Sequence, residues 1–216
     1  MKLTRQSGRR PAENPRRLEP GCHRRAFSLL EMLLTLAIIL VMVTVLWGFG
    51  SRSHQQKQQK SCQTNLQKIF VAMQIYAHDF GGSFPVVTKA QTSEAALAVL
   101  VPQYTVDTGV FICPGSKDSP LPAGESFLNR KISYAYYMGR GANAAAQVLL
   151  SDAQVNTNAK AAGQPAFSLT GKAPGNNHHK FGGNFLFGDG RMERTPPVVP
   201  FALGLTSGVV LLNPKP

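Results

Sequence analysis

The chain has 216 residues and a formal charge of +12, although only 16% of its residues are charged. This length suffices for one domain with a sizeable core and, in addition, a membrane segment. Half of the excess charge lies in residues 1–26, which carry eight Lys or Arg residues against two Glu. An arm so rich in Arg, Pro and Gly is excluded from any hydrophobic core.

Basic arms commonly bind nucleic acid, but the residues that follow this one favour a membrane. From Phe27 to Phe49 the sequence is almost wholly apolar, and Met32 to Gly50 contains no charged residue. Such a helix would be about 35 Å long, enough to cross the hydrocarbon layer once. Basic residues before the span predict a cytoplasmic N-terminus and an extracytoplasmic remainder. We therefore expect a membrane partner and no nucleic acid.

One carboxylate, Glu31, interrupts the start of this apolar run. An acidic side chain at the centre of a membrane helix costs roughly 2.5–3.5 kcal/mol, and less near its end. A Glu close to the interface can reach water, or it can pair with a cation. The sequence by itself leaves both explanations open.

The segment Ala26-Phe27-Ser28-Leu29-Leu30-Glu31 resembles the processing site of type IV prepilins and type II secretion pseudopilins. The resemblance implies that a prepilin peptidase cuts between Ala26 and Phe27, that Phe27 is then N-methylated, and that the apolar helix stays on the mature protein. It also implies that Glu31 serves assembly by pairing with the terminal amine of a neighbouring subunit. Ala26 departs from the family's usual Gly but keeps the side chain small.

Residues 51–85 predict that the helix continues beyond the membrane, to about Phe80. Gly81 and Gly82 supply a stop signal, and Pro85 follows soon after. Apolar residues recur at helical spacing and predict a face that packs on a globular head. They are Cys62, Leu66, Ile69, Phe70, Met73, Tyr76, Ala77 and Phe80.

Three further blocks resemble G-type pseudopilin-like proteins with a C-terminal His-x9-Asp-Gly motif. They are residues 62–85, residues 111–114 (Phe-Ile-Cys-Pro) and residues 179–190, which begin at His179 and reach Asp189-Gly190. The resemblance implies an α+β, pilin-like fold in which a long N-terminal helix packs on a small, mainly antiparallel sheet. The expected parts are a cleaved leader (1–26), a membrane and assembly helix (27–50), its amphipathic continuation (51–85), a head (86–194) and a Pro-rich tail (195–216).

Within the head, residues 93–101 predict a short helix with Ser93 as its N-cap. Residues 109–112, 132–138, 147–151 and 184–188 predict short strands, and 154–177 a long irregular loop. The apolar stretch 201–212 is too short to cross a membrane. We expect it to add a strand or to cover a sheet edge.

The three cysteines are Cys22, Cys62 and Cys113, of which the first lies in the predicted leader. The other two form an even pair in an exported head and are candidates for one disulfide. Closing that loop of about 50 residues would stabilise the fold by about 4 kcal/mol on the chain-entropy argument. A metal site is the rival, but two thiols alone are too few for structural zinc.

Polar residues with chemical potential gather towards the C-terminus: Asp152, His178, His179, Asn184 and Asp189. The His-x9-Asp spacing, with two glycines between, predicts a turn that brings His179 to Asp189. Such a set could bind calcium or another divalent metal, although no cofactor is required. We expect a structural hydrogen bond instead, or an Asp189 that serves the turn's backbone.

The sequence therefore favours a non-enzymatic, pilin-like subunit of a bacterial inner membrane. Its expected partners are a prepilin peptidase, copies of itself, other pilin-like subunits and a secretion or pilus machinery. A membrane-anchored extracytoplasmic binding module is the alternative, and a metal-dependent surface enzyme built on His179 and Asp189 is a third. No phosphate loop, nucleophile elbow or HExxH motif is present in the sequence.

Overall fold

The computed structural model describes residues 27–216, with the backbone alone described at residues 47–52. The predicted leader, including Ala26 and Cys22, lies outside these residues. The chain divides into two compact units, one that ends at Val45 and one that runs from Leu46 to Pro216. Helix α1 (Leu29–Asp79) contributes to both units and ends one residue before the predicted stop.

The second unit contains a five-stranded antiparallel sheet. Its strands are β1 (Tyr134–Met138), β2 (Val148–Asp152), β3 (Gly183–Phe187), β4 (Met192–Thr195) and β5 (Val210–Leu212). They lie in the order β4-β3-β2-β1-β5, and every neighbouring pair is antiparallel. The predicted α+β, pilin-like fold is confirmed, and the tail adds an edge strand to the sheet beside β1.

Both faces of the three central strands are buried, so side chains that alternate along a strand enter two different cores. On one face, Tyr134 and Tyr136 pack with the predicted stripe of α1, which buries Leu66 and Ile69. On the other face, alternate β-strand residues pack with the loop and tail segments. These residues are Ala135, Tyr137, Phe185 and Phe187, which meet Phe167, Val199 and Leu203.

Two local predictions were wrong, and one strand was missed. Residues 109–112 are not a strand, because Thr108–Phe111 forms a 3-10 helix. Ser93 is not the N-cap of helix α2 (Ser93–Leu97); Thr92 holds that position, with no side-chain capping bond. Strand β4 was not predicted, since its sequence, Met-Glu-Arg-Thr, lacks the apolar alternation that marks a half-buried strand.

Candidate functional site

The first candidate site is the start of helix α1, where Glu31 lies in the first turn. Its backbone N–H donates to the carbonyl of Ser28 over 2.9 Å. A negative charge is favourable at this end of a helix because the backbone N–H groups there carry partial positive charge. Within residues 27–216 no hydrogen bond or ion pair reaches the Glu31 carboxylate. Any strong partner for Glu31 in an apolar environment must therefore come from outside the described residues.

The helix around Glu31 exposes an apolar surface. Residues Leu29–Leu46 form a stretch long and apolar enough to cross a membrane, and none of it is buried within the chain. Leu30 and Met32, for example, are 75% and 68% exposed. Exposure of such an apolar surface to water would be unfavourable in free energy, whereas in lipid it is the expected exterior of a spanning helix.

The second candidate site is a buried polar cluster on the face of the sheet that α1 covers. We define it as Cys62, Cys113, Asp152, His178 and Asn184, all with 0% exposure. Cys62 lies on α1, Cys113 follows the 3-10 helix, Asp152 ends β2, His178 precedes β3 and Asn184 lies in β3. Five separate segments of the chain therefore meet at one point inside the head.

The sheet register explains why Asp152 turns towards the helix. Asp152 lies opposite Tyr134 on β1, and side chains of directly paired residues project from the same face. Asn184 lies two residues before Leu186, which also packs on the helix side. Asn184 donates from its Nδ2 to the carbonyl of Gln59 on α1 over 3.3 Å, which ties the sheet to the helix.

Four donors surround the Asp152 carboxylate. Its Oδ2 accepts from the backbone N–H of Asn184 at 2.7 Å and from Asn184 Nδ2 at 2.9 Å. His178 Nε2 lies 3.2 Å from the same oxygen. Asn177 Nδ2 donates to Oδ1 over 3.2 Å. A buried carboxylate must be compensated in this way, because desolvation of a lone charge would cost several kcal/mol.

His178 faces the cluster through one ring nitrogen. Its Nε2 lies beside Asp152 and also 3.5 Å from Cys113 Sγ. Since an ionised carboxylate only accepts, the neutral ring pairs best with its proton on Nε2. The other nitrogen, Nδ1, is buried without a hydrogen-bond partner among residues 27–216.

Cys62 and Cys113 form a disulfide, with their Cα atoms 5.2 Å apart across 51 residues of sequence. The bridge joins the helix to the segment that follows the 3-10 helix, directly beside His178 and Asp152. The sulfur, nitrogen and carboxylate ligand atoms of Cys62, Cys113, Asp152 and His178 all lie within 4.8 Å of one another. Nearby Tyr134 is also fully buried; burial, and next the negative charge of Asp152, raise the pKa of Tyr134 well above its ordinary value.

The predicted contact between His179 and Asp189 was wrong. Both side chains are exposed, and among the described residues no hydrogen bond or ion pair joins them. His179 has a left-handed backbone (φ 56°) and its ring lies against Gly171. Asp189 Oδ1 accepts the backbone N–H of Arg191 over 2.8 Å, so this residue serves the turn before β4.

The structure thus brings together Asp152, His178 and Asn184 from the predicted polar set, whereas His179 and Asp189, the pair expected to meet, lie apart from them at the surface. The association of both cysteines with this set was missed. One signal could have indicated it, since Cys62 begins the apolar stripe of α1 and Cys113 follows a buried run. These two positions predict that both cysteines are buried at the interface between α1 and the sheet.

A cavity of about 740 Å³ lies next to the cluster. Gly115 and Asn177, which adjoin His178, form part of its wall, together with His179, Lys117, Lys131 and Lys215. Gly115 is in tight contact with the histidine: a Cβ added there would lie 2.7 Å from His178 Nδ1. The backbone around Gly115 is therefore the partition between the cavity and the cluster.

Residues 22–47 match the prokaryotic N-terminal methylation motif. The matched segment contains the predicted cleavage position, Glu31 and the exposed apolar helix. It indicates a prepilin-type, pilin-like subunit that is processed at its N-terminus and anchored in a membrane. The comparisons with curated proteins and with solved structures gave no match.

Proposed function

We propose that this protein is a non-enzymatic structural subunit of a type II secretion or type IV pilus-like fibre. The methylation motif at residues 22–47 is the observation that carries the proposal. In this account prepilin peptidase removes residues 1–26 at the inner membrane, and Phe27 becomes the methylated N-terminus. The N-terminus faces the cytoplasm before cleavage, and the head is extracytoplasmic.

The chemistry of Glu31 supports assembly rather than simple anchoring. Cleavage before Phe27 would create an α-amine, a cation four residues from the carboxylate. In the mature chain the α-amine of Phe27 lies at the end of its own helix. A neighbouring subunit that is shifted along the membrane normal would place its own α-amine beside Glu31. A charge pair in hydrocarbon fixes the register between two helices, as buried polar groups do in helix bundles.

The pseudopilin subtype is the finer part of the proposal. The blocks at residues 62–85, 111–114 and 179–190 support the G-type, His-x9-Asp-Gly class. In the head, the residues between His179 and Asp189 form a turn and the interior strand β3, so we propose a structural role for this spacing. Other pilin-like subunits and the assembly machinery are the proposed partners.

Cross-linking between subunits tests the assembly function. A photoreactive residue at Ile38, in cells that contain prepilin peptidase, should yield a ladder of cross-linked chains. Glu31→Gln should leave cleavage and membrane insertion unchanged but reduce the ladder by about tenfold or more, because it removes one partner of a desolvated ion pair.

Thr35→Val provides the matched control in the same span. Thr35 lies one turn further along α1, and its hydroxyl already donates to the carbonyl of Met32 over 2.9 Å. This variant removes a polar group of similar depth without removing a charge, so the ladder should persist. An undiminished ladder in Glu31→Gln would contradict the assembly function.

A membrane-anchored binding module is the second candidate, and the cavity of about 740 Å³ beside Asn177 is the observation that favours it. It shares the leader and the anchor with a fibre subunit but never polymerises. A chain that is processed normally and yields no cross-linked ladder, with or without Glu31, would favour this module.

A further inference from the structure

The buried polar cluster contains two sulfurs, an imidazole nitrogen and a carboxylate oxygen within 4.8 Å of one another. In the oxidised chain the sulfurs are joined to each other. We propose that reduction of the Cys62–Cys113 disulfide converts this cluster into a four-ligand zinc site, with His178 and Asp152 as the other two ligands.

The donor set matches zinc better than calcium. Zn²⁺ binds Cys, His and Asp ligands in tetrahedral sites closed by four protein groups. Ca²⁺ requires six to eight oxygen ligands, whereas only one carboxylate belongs to the cluster. Two cysteines alone would be too few for a structural site, and the fold supplies the missing two ligands from β2 and from the loop before β3.

The surrounding residues already orient the two non-sulfur ligands. Asn184 and Asn177 donate to Asp152 and fix its carboxylate, in the manner of the outer-shell hydrogen bonds of metal sites. His178 Nε2 already lies 3.2 Å from Asp152 Oδ2 and 3.5 Å from Cys113 Sγ. A Zn²⁺ bound at Nε2 would displace the proton there, which leaves the ring neutral with its proton on the unpartnered Nδ1.

The conversion requires a two-electron reductant, for example a dithiol, and its chemistry balances. The S–S bond breaks, two electrons and two protons pass from the dithiol to the sulfurs, and the dithiol becomes its own disulfide. The two thiols then release their protons when their thiolates bind Zn²⁺. All four ligand residues are fully buried, and the backbone at Gly115 and Asn177 separates them from the neighbouring cavity, so reductant and metal can reach them only when this partition opens locally.

The disulfide and the proposed zinc site would therefore be alternative cross-links between α1 and the head, since both use Cys62 and Cys113. The disulfide joins Cys62 to Cys113 only. The metal would join both cysteines to β2 through Asp152 and to the loop before β3 through His178. A reduced head would then keep a cross-link at the position where it lost the disulfide.

Cobalt uptake by the full chain in detergent micelles tests the proposal, in a Cys22→Ser background that removes the third thiol. After reduction with a phosphine, one equivalent of Co²⁺ should produce thiolate-to-cobalt absorption and the intense visible bands of a tetrahedral site. One equivalent of Zn²⁺ should abolish both signals, and the oxidised chain should produce neither.

The two adjacent histidines give a matched pair of variants. His178→Gln should weaken cobalt binding by more than about tenfold, since even the loss of an outer-shell partner costs 10–100-fold, and should change the visible bands. His179→Gln, at the exposed neighbour, should change neither. Absence of the thiolate absorption in the reduced chain, or the same affinity and bands in His178→Gln, would overturn the proposal.

Thermal unfolding covers the case in which reduction itself unfolds the head. Zn²⁺ should raise the melting temperature of the reduced chain and leave that of the oxidised chain unchanged, because the metal binds only the folded, reduced form. A reduced chain that stays unfolded when Zn²⁺ is added would also overturn the proposal.

Discussion

Two carboxylates of this protein lie in apolar surroundings, and the chain treats them in opposite ways. Asp152, inside the head, is met by donors from Asn184, Asn177 and His178. Glu31, on the apolar stretch of α1, has no side-chain partner within the described residues and is exposed. One charge is compensated inside its own fold, whereas the other lacks compensation until something else approaches.

This difference teaches where each region obtains its specificity. The head compensates its own buried charge, because every polar group of the cluster except His178 Nδ1 has a partner on another of the described segments. The N-terminal helix is not complete in itself, since its apolar surface requires lipid or other helices. We propose that its carboxylate is compensated by a cation from a neighbouring subunit. Stability should therefore depend on Asp152 and assembly on Glu31.

Removal of the Asp152 carboxylate should produce the largest loss of stability. Asp152→Ala leaves the backbone N–H of Asn184 buried without an acceptor, and it removes the nearest partner of Asn184 Nδ2 and of His178 Nε2. Breaking such a buried pair typically costs about 3–5 kcal/mol. Thermal unfolding of the full chain in micelles, followed by circular dichroism, should show a melting temperature lower by about 10 °C.

Asp189→Ala is the control for this variant. It deletes an aspartate of the same predicted set that lies exposed in a turn, so the melting temperature should hardly change. Equal losses from the two variants would break the contrast between a buried, compensated charge and a surface one.

Loss of the Cys62–Cys113 disulfide should have the next largest effect. Reduction in the presence of a chelator removes both the covalent and the metal linkage, and should lower the free energy of unfolding by about 2–4 kcal/mol. The double variant Cys62→Ala, Cys113→Ala should be insensitive to the same reductant. A wild-type melting temperature that reduction leaves unchanged would show that the joint is held by packing and the Asp152 hydrogen bonds alone.

The smallest effect should come from Lys160, a buried cation with no carboxylate partner among the described residues. Its Nζ donates only to the carbonyls of Asn156 and Asn158. Burial lowers the pKa of Lys160 from 10.5 to about 8. The folded state thus disfavours the charged form, so at neutral pH the folded chain bears a penalty that disappears as pH rises from about 8 to 10.5.

Lys160→Met should accordingly raise the melting temperature slightly at pH 7, and its advantage over wild type should shrink across that pH window. Lys172→Met, at an exposed lysine of the same long loop, should show no such pH-dependent difference. A Lys160→Met advantage that stays constant from pH 7 to above pH 10.5 would contradict the assigned cause.

The sequence predicted the elements whose signal is local. A continuous apolar run identified the membrane stretch, the stripe from Cys62 to Ala77 identified the packed face of α1, and apolar segments identified β1, β2 and β3. The four-residue run 109–112 was misassigned because so short an apolar segment has no measurable period, and tertiary contacts made it a 3-10 helix.

The cluster was beyond local signals. His178 is buried and the adjacent His179, which has a left-handed backbone, is exposed, and a local sequence pattern does not distinguish the two. The meeting of Cys62, Cys113 and Asp152 depends on the sheet register and on the docking of α1. The spacing of residues in the sequence indicates neither the register nor the docking. The His-x9-Asp spacing therefore pointed to His179 instead of the adjacent His178.

The mass of the mature chain tests the central account most directly. The protein purified from membranes of cells that contain prepilin peptidase should have lost residues 1–26 and should begin with a methylated Phe27. Intact-mass analysis and sequencing of the N-terminal peptide measure both changes at once. A mature chain that still begins at Met1, or one that begins after the apolar stretch, would contradict the pilin-like assignment.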